Sequence, residues 1–342
     1  MSNSKVTIHD IAKEMNINSS TVSRALNDSN RVTQKTKDKI IAKANELGYK
    51  RNLLASNLRK NKTNTLGVIV PRISRHFFSS AIAGIEETAY EEGYNVMICQ
   101  SLEELEREQK LAKSLIANRV DGILISISME TMNSTYLHEL NKEGTPLVFF
   151  DRYFDLEDNS KVLIDDFQAG FDATEHLILQ GCKNIAHLSG PQQLEIYKNR
   201  CKGYKAALKK HHIPLNDKLV ISSKLMEKDG IESAKKLLSL PINIDGIFSA
   251  NDTSAIGAMK HLKKVGVKIP EDIAIVGFSN EPISSVIEPS LTTIDQSGFE
   301  IGKIAADLIL SQIKNKSKKT KSETIILKPT LIKRNSSKRR SK

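Results

Sequence analysis

Residues 7–26 read TIHDIAKEMNINSSTVSRAL, and their apolar spacing predicts two short helices joined by a tight turn. Thr7 followed three residues later by Asp10 fits a capping box, in which hydroxyl and carboxylate each take up a free N–H at the helix start. Ile8, Ile11, Ala12 and Met15 then recur at helical spacing. Asn16-Ile17-Asn18 breaks the pattern, and asparagine suits a turn because its amide competes for backbone hydrogen bonds. Asn18 or Ser19 can cap the second helix, whose inner face is Val22, Ala25 and Leu26. Ser19, Ser20, Ser23 and Arg24 are left facing outward.

A third helix follows, with Thr33 and Thr36 near its start, Ile40, Ala44 and Leu47 as its buried stripe, and Gly48 as its stop. Two helices with a small polar outer face can enter the major groove of DNA. There the fork of Arg24 matches O6 and N7 of guanine. Thr21, Ser23 and Asn27 can bond phosphates. The candidate DNA-binding set of the headpiece is therefore Thr7, Ser19, Ser20, Thr21, Ser23, Arg24, Asn27, Thr33 and Thr36. The plainer reading is a helical hairpin with a serine-rich surface.

Charge is distributed unevenly along the 342 residues. Residues 1–62 hold 13 Lys/Arg and 5 Asp/Glu, a net of +8. Residues 314–342 hold 12 basic residues and one acid, Glu323, a net of +11. The stretch 63–313 has 26 basic and 34 acidic residues, a net of −8. Polyanion binding is thus expected at the ends and not in the body. No apolar run approaches the roughly 18 residues of a membrane helix. MSNSKVTIHD lacks the apolar core of a signal peptide, so a cytoplasmic protein is expected. Cys99, Cys182 and Cys201 form neither a disulfide framework nor a zinc cluster.

VTIHDIAKEMNINSSTVSRALND, with a third helix ending in NELGY, closely resembles the headpiece of LacI-type bacterial transcription regulators. The resemblance implies a hinge next, with the pattern Tyr-x-Pro-Asn-x-x-Ala-x-x-Leu. Tyr49, Asn52, Ala55 and Leu58 match it, while Arg51 replaces the proline and Ser56 a common arginine. By resemblance, Asn52 and Ala55 join the DNA-binding set and Leu58 is a minor-groove wedge, in keeping with the ability of paired apolar side chains to unstack a base step.

Beyond the polar linker Asn61–Asn64 the chain alternates short apolar runs with helical stretches. The runs are 66–70, 95–100, 121–127, 146–151, 162–165, 185–190, 219–222, 245–250 and 273–279. Near-continuous apolar strands separated by helices mean parallel sheets covered on both faces, and nine of them suggest two lobes. The expected fold is an all-α helix-turn-helix headpiece plus an α/β body of two doubly wound parallel-sheet lobes. No GxGxxG, Walker loop, GxSxG elbow or HExxH occurs, so neither an enzyme nor a cofactor or metal site is expected. The Glu86-Glu87, Glu91-Glu92 and Glu103-Glu104 pairs are read as solvent-facing helix positions.

Ligands of open α/β sheets bind beyond the carboxyl ends of strands. The polar and aromatic residues there are Phe77, Phe78, Ser126, Asp151, Arg152, Phe167, Arg200, Asn251, Ser279 and Gln296, a set suited to a sugar, sugar phosphate or nucleoside. Asp252 is read as a helix cap and Asp151-Arg152 as a pair bridging the lobes. GPQQLEIYKNRCKGYKAAL, FSANDTSAIGAM and VKIPEDIAIVGFSN resemble the effector domain of the same family, similar to periplasmic sugar-binding proteins. That implies effector contacts from Arg200 and Asn251 and a pocket lined by Phe77, Phe78 and Phe167. The chain departs from the family at Ser279, often Asp, and at Arg75-His76, often Asn-Pro; losing the Asp favours an acidic or phosphorylated ligand.

The expected layout is a headpiece at 1–50, a hinge at 51–64, an effector and dimerisation body at 65–334 with the chain crossing between lobes, and a disordered basic tail at 335–342. TIILKPTLIKR (324–334) is expected to return as a pair of edge strands around Pro329. The expected partners are palindromic operator DNA, a small-molecule effector and a second copy of the chain, whose headpieces read two half-sites. A solute-binding protein or sugar-processing enzyme using the same cleft is the alternative.

Overall fold

The computed structural model describes residues 6–49, 62–132, 135–156, 159–315 and 322–339. The chain divides into two compact units at Thr63/Asn64. The hinge positions Asn52, Ala55 and Leu58 lie outside the described residues.

The first unit holds helices α1 (Ile8–Glu14), α2 (Ser19–Leu26) and α3 (Gln34–Glu46). The capping box forms as expected: the Thr7 N–H donates to Asp10 Oδ2 at 2.8 Å, and Thr7 Oγ1 accepts from the Asp10 N–H at 3.4 Å. Asn16 turns the chain in the left-handed region at φ 51°. Asn18 is the N-cap of α2, without a side-chain bond. Ile11, Ala12, Val22, Ala25, Ile40 and Ala44 form the buried core. Lys37, itself buried, ties α3 to the preceding loop through Asp28 at 2.6 Å. At the end of α3 the Gly48 N–H donates to Asn45 O and the Tyr49 N–H to Ala44 O, at 3.0 and 2.9 Å. This double closure needs the φ of 69° that Gly48 adopts.

The second unit contains two parallel sheets. Lobe 1 has β1 (Thr65–Val70), β2 (Asn95–Gln100), β3 (Gly122–Ile125), β4 (Leu147–Phe150), β5 (Ser160–Ile164) and β11 (Thr324–Leu327), in the order β11-β5-β4-β3-β1-β2. Lobe 2 has β6 (Ile185–Ser189), β7 (Val220–Ser222), β8 (Gly246–Ser249) and β9 (Ala274–Val276), in the order β7-β6-β8-β9. All nine apolar runs of the sequence are strands. Lobe 1 carries helices α4 (His76–Glu91), α5 (Leu105–Ala117), α6 (Thr135–Lys142) and α12 (Gly298–Lys314). Lobe 2 carries α7 (Asp166–Leu179), α8 (Glu195–Lys210), α9 (Glu227–Leu238), α10 (Asp252–Lys264) and the short α11 (Ile283–Val286). Three helix pairs approach through facing glycines: Gly84 and Gly302 join α4 to α12, Gly170 and Gly203 join α7 to α8, Gly230 and Gly257 join α9 to α10. A Cβ at any of these six would lie about 2 Å from a carbonyl oxygen of the opposite helix.

The chain passes between the lobes three times: after β5, after β10 (Thr293–Asp295) and between β11 and β12 (Thr330–Ile332). Residues 324–334 form two edge strands, as expected, but the two do not pair with each other. β11 joins β5 in lobe 1, whereas β12 pairs antiparallel with β10. Pro329 lies between two strands that go to different lobes, which leaves no turn to close a hairpin. The expected disorder of 335–342 is likewise corrected for the described residues 335–339. The Ile275 N–H donates to Ser336 O at 2.8 Å, and Ser336 Oγ donates to Ile275 O at 2.6 Å. The Arg339 guanidinium donates to the carbonyls of Pro270, Asp245 and Asp272. A polar composition predicts disorder only where burial yields no partners; here every buried polar group named finds one.

Candidate functional site

Loops leaving the carboxyl ends of the strands meet between the lobes, around a cavity of about 60 Å³. Eight of the ten residues marked in the sequence line it: Phe77, Phe78, Asp151, Arg152, Arg200, Asn251, Ser279 and Gln296. A second cavity of about 260 Å³ adjoins it and shares Arg75, Phe78, Arg152, Tyr197 and Asn251.

Each lobe contributes one buried guanidinium. On α8, Arg200 Nε donates to Asp166 Oδ1 at 2.7 Å and Nη1 to Ala250 O at 2.9 Å, with the guanidinium carbon 3.5 Å from the Phe278 ring centre. After β4, Arg152 Nη1 donates to Glu103 Oε2 at 2.8 Å, and its Nε lies 3.8 Å from Asp151 Oδ2. Burial opposes the charge of Arg152, but Glu103 and its other anionic neighbours outweigh it. Burial pushes the Asp166 carboxyl up to about 7 against the pull of Arg200. It also raises Asp151, whose Oδ2 accepts from the buried Ser126 hydroxyl at 3.3 Å. Phe77 and Phe78 meet edge to face at 5.1 Å and make the apolar wall.

Four readings change. Phe167 is 42% exposed at the start of α7, its backbone packed against Gly203, and it is not among the residues lining the two cleft cavities. Asp252 does not cap α10. Asn251 does, accepting from the Ser254 N–H at 2.8 Å while its Nδ2 donates to Leu225 O at 3.0 Å. Asp252 is instead buried, accepts from Thr293 Oγ1 and the Glu281 N–H, and is pushed up to about 7 by burial. The Asp151-Arg152 pair lies within lobe 1, because both its carboxylate partners, Glu103 and Asp151, belong to that lobe. Glu103 is not on a helix face: it sits in a loop at φ 68° and also accepts from the Met129 N–H at 2.9 Å.

The side chain that does bridge the lobes is Arg75. It is the N-cap residue of α4, and its guanidinium donates across the cleft to Thr253 Oγ1 and, at 3.4 Å, to Met226 Sδ. The sequence marked Arg75 only as a departure from the family. Tyr197, Thr253 and Glu281, which also line the cleft, were not marked.

In the headpiece, Ser20 and Arg24 are exposed on α2, with Ser19, Thr21 and Ser23 half-buried beside them. Asn27 Nδ2 donates to Ser23 O at 2.7 Å, and the Thr33 and Thr36 hydroxyls bond each other at 2.9 Å. The Thr7 hydroxyl is engaged by Asp10. No group of three or more His, Cys, Asp or Glu residues is placed to hold a metal among the described residues. No helix of the described residues is long and apolar enough to cross a membrane.

Residues 7–52 match the model for bacterial regulatory proteins of the lacI family. Residues 63–335 match that for periplasmic binding proteins and the sugar-binding domain of the LacI family. The chain is 32% identical to the ribose operon repressor of Halalkalibacterium halodurans, over 91% of each protein. It is 33% identical to catabolite control protein A of Priestia megaterium, over 96% of this chain and 97% of that one. Among solved structures it resembles the lac repressor dimer bound to operator and the anti-inducer ONPF, with TM-score 0.86, 25% identity, and coverage of 97% of this chain and 99% of that one.

Proposed function

Because the chain belongs to the LacI family of bacterial regulatory proteins, we propose that it is a repressor whose two headpieces, in a homodimer, grip a palindromic operator under control of an effector bound between the lobes. Its relatives are transcription regulators and not enzymes, and the chain is a DNA-binding regulator of their type. The observation that carries the proposal is the pairing, in one chain, of a helix-turn-helix whose second helix exposes Ser20 and Arg24 with a two-lobed body whose strand ends enclose a polar cleft.

Arg24 reads a base edge; Ser19, Ser20, Thr21, Ser23, Asn27, Thr33 and Thr36 fit the groove or the phosphates, and Asn52, Ala55 and Leu58 serve the hinge. One headpiece spans few base pairs, so a twofold dimer adds the energies of two half-sites. The edge strand β2 supports such a dimer, with Met97 39% and Ile98 43% exposed, an apolar edge suited to a second copy. In the cleft, Phe77 and Phe78 offer ring surfaces while Arg152, Arg200, Ser279 and Gln296 offer polar groups. That combination suits a sugar or sugar derivative and fits the ribose of the relative's name. Lobe closure that shifts the hinges is worth about 1–3 kcal/mol of coupling, enough for tens-fold control of operator affinity. The proposed setting is the cytoplasm.

The test is DNA binding by the purified full chain. A palindromic site should bind with a steep salt dependence, and Arg24→Ala should cost about 1–3 kcal/mol while relaxing base preference at one position. Equal affinity for scrambled duplexes would overturn the proposal.

A further inference from the structure

Two N–H donors of the cleft make no hydrogen bond, the nearest carboxylate oxygen to Arg152 Nε, Asp151 Oδ2, standing off at 3.8 Å. Arg152 Nε and Arg200 Nη2 are buried without an acceptor, and both residues line the 60 Å³ cavity. The two side chains come from opposite lobes and are 6% and 3% exposed. Native proteins rarely leave such groups unmet. The carboxylates and amide nearby each already accept at least one bond: Asp166 from Arg200 Nε, Glu103 from Arg152 Nη1 and the Met129 N–H, Asp151 from the Ser126 hydroxyl, and Asn251 Oδ1 from the Ser254 N–H. Among the described residues these two donors are the fully enclosed polar side-chain atoms of the cavity lining that lack a hydrogen bond.

A third guanidinium joins them. Arg75 lines both cavities, and its cleft-spanning bonds go only to the neutral Thr253 hydroxyl and the Met226 sulfur. Among the described residues it has no carboxylate within ion-pair distance. The unmet groups enclosed in the cleft are thus donors, and a third guanidinium faces it with neutral partners alone. A hydroxyl group brings a donor of its own that needs an acceptor; an oxyanion brings acceptors only. Glu281, half-buried in the same wall, remains for the hydroxyls of a larger ligand.

We infer that the effector carries an anionic oxygen group, phosphoryl or carboxylate, on a sugar-like body, and that Arg75, Arg152 and Arg200 hold this group. The assignment rests on the cleft being the effector site, as proposed above. The 60 Å³ cavity has room for a small oxyanion, and the body extends into the adjoining 260 Å³. On binding, Arg75 exchanges a hydroxyl and a thioether for charged oxygens, a stronger class of hydrogen bond.

The test titrates the full chain by calorimetry and thermal shift with matched sugars: ribose against ribose 5-phosphate, and glucose against glucose 6-phosphate and glucuronate. Inorganic phosphate serves as the anion alone. An anionic member should bind at least about tenfold more tightly than its neutral parent, as one added charge-assisted bond implies. Arg75→Ala, at a half-buried position outside both lobe cores, should shrink that gap to about threefold or less. The phosphate and glucuronate arms separate the two kinds of anion. A neutral sugar binding as tightly as its charged partner would overturn the anionic assignment and leave the sugar effector standing, and a gap untouched by Arg75→Ala would overturn the assignment of the anionic group to Arg75. If no sugar binds in either form, the assignment and the effector reading both fall.

Discussion

In the headpiece, side chains proposed to face DNA stand at the surface, and the bonds that hold the local structure join residues three or four apart, as Thr7 with Asp10 and Asn27 with Ser23. In the body, the cleft residues are buried or half-buried, and their partners lie far along the chain: Arg200 and Asp166 are 34 positions apart, Arg152 and Glu103 49, Arg75 and Thr253 178. An exposed reading face tolerates change in the side chains that read. A buried binding site is also part of what keeps the lobes folded, so altering it disturbs sensing and stability together.

The comparison is tested hardest by Arg200→Ala. Removing the guanidinium leaves Asp166 buried without its counter-charge, a loss of about 3–5 kcal/mol in the unfolding of the body. Urea denaturation followed by domain-specific probes should show the headpiece transition unmoved. The reverse experiment is Ile40→Ala, which cuts into a core of six buried residues. About 3 kcal/mol lost there should unfold the headpiece and abolish specific DNA binding, while the body keeps its melting temperature. Loss of both transitions in either variant would show that the units do not fold separately.

A subtler contrast lies in pH. His187 is stacked between Tyr204 and Phe248, and burial pushes its ring down to about 4. The unfolded chain takes up that proton near 6.5, so between the two values it binds more protons than the fold, and stability falls as pH drops. By pH 5 the loss is about 2 kcal/mol. His187→Phe lacks this contribution, so its melting temperature should fall less between pH 7 and pH 5 than that of the parent. His176, shifted the same way, is common to both proteins and cancels in the difference. The smallest effect belongs to the headpiece: Thr7→Ala removes the cap of α1 and should cost about 1 kcal/mol, read as an earlier headpiece transition.

The same contrast explains what could be read from the residues. Capping box, turn asparagine and Gly48 stop are rules about neighbours, and residues 7–48 fold by them. The nine strands were visible because a buried parallel strand is apolar throughout. Where strands pair, and which of two adjacent polar residues serves the site, depend on contacts that spacing does not encode. The cap expected of Asp252 belongs to Asn251, since both follow a strand and precede a helix, and the bonds that hold Asp252 inward come from Thr293 and Glu281, 41 and 29 positions away. Glu103 looked like a solvent-facing twin of Glu104 until Arg152 claimed it. Phe167 stands half exposed and outside the cleft lining, a placement that its position just after a strand does not encode. The facing glycines of three helix pairs carry no signal in their own segments.

The late crossing at residues 327–330 bears on biosynthesis. Lobe 1 lacks its edge strand until Thr324–Leu327 has emerged from the ribosome, and lobe 2 lacks Ser336 and the Arg339 clasp until a few amino acids later. A translating chain therefore displays the three-helix core of its headpiece long before either lobe of the body is complete. Premature termination between the headpiece and residue 324 would release a polypeptide with a folded first unit and neither lobe complete.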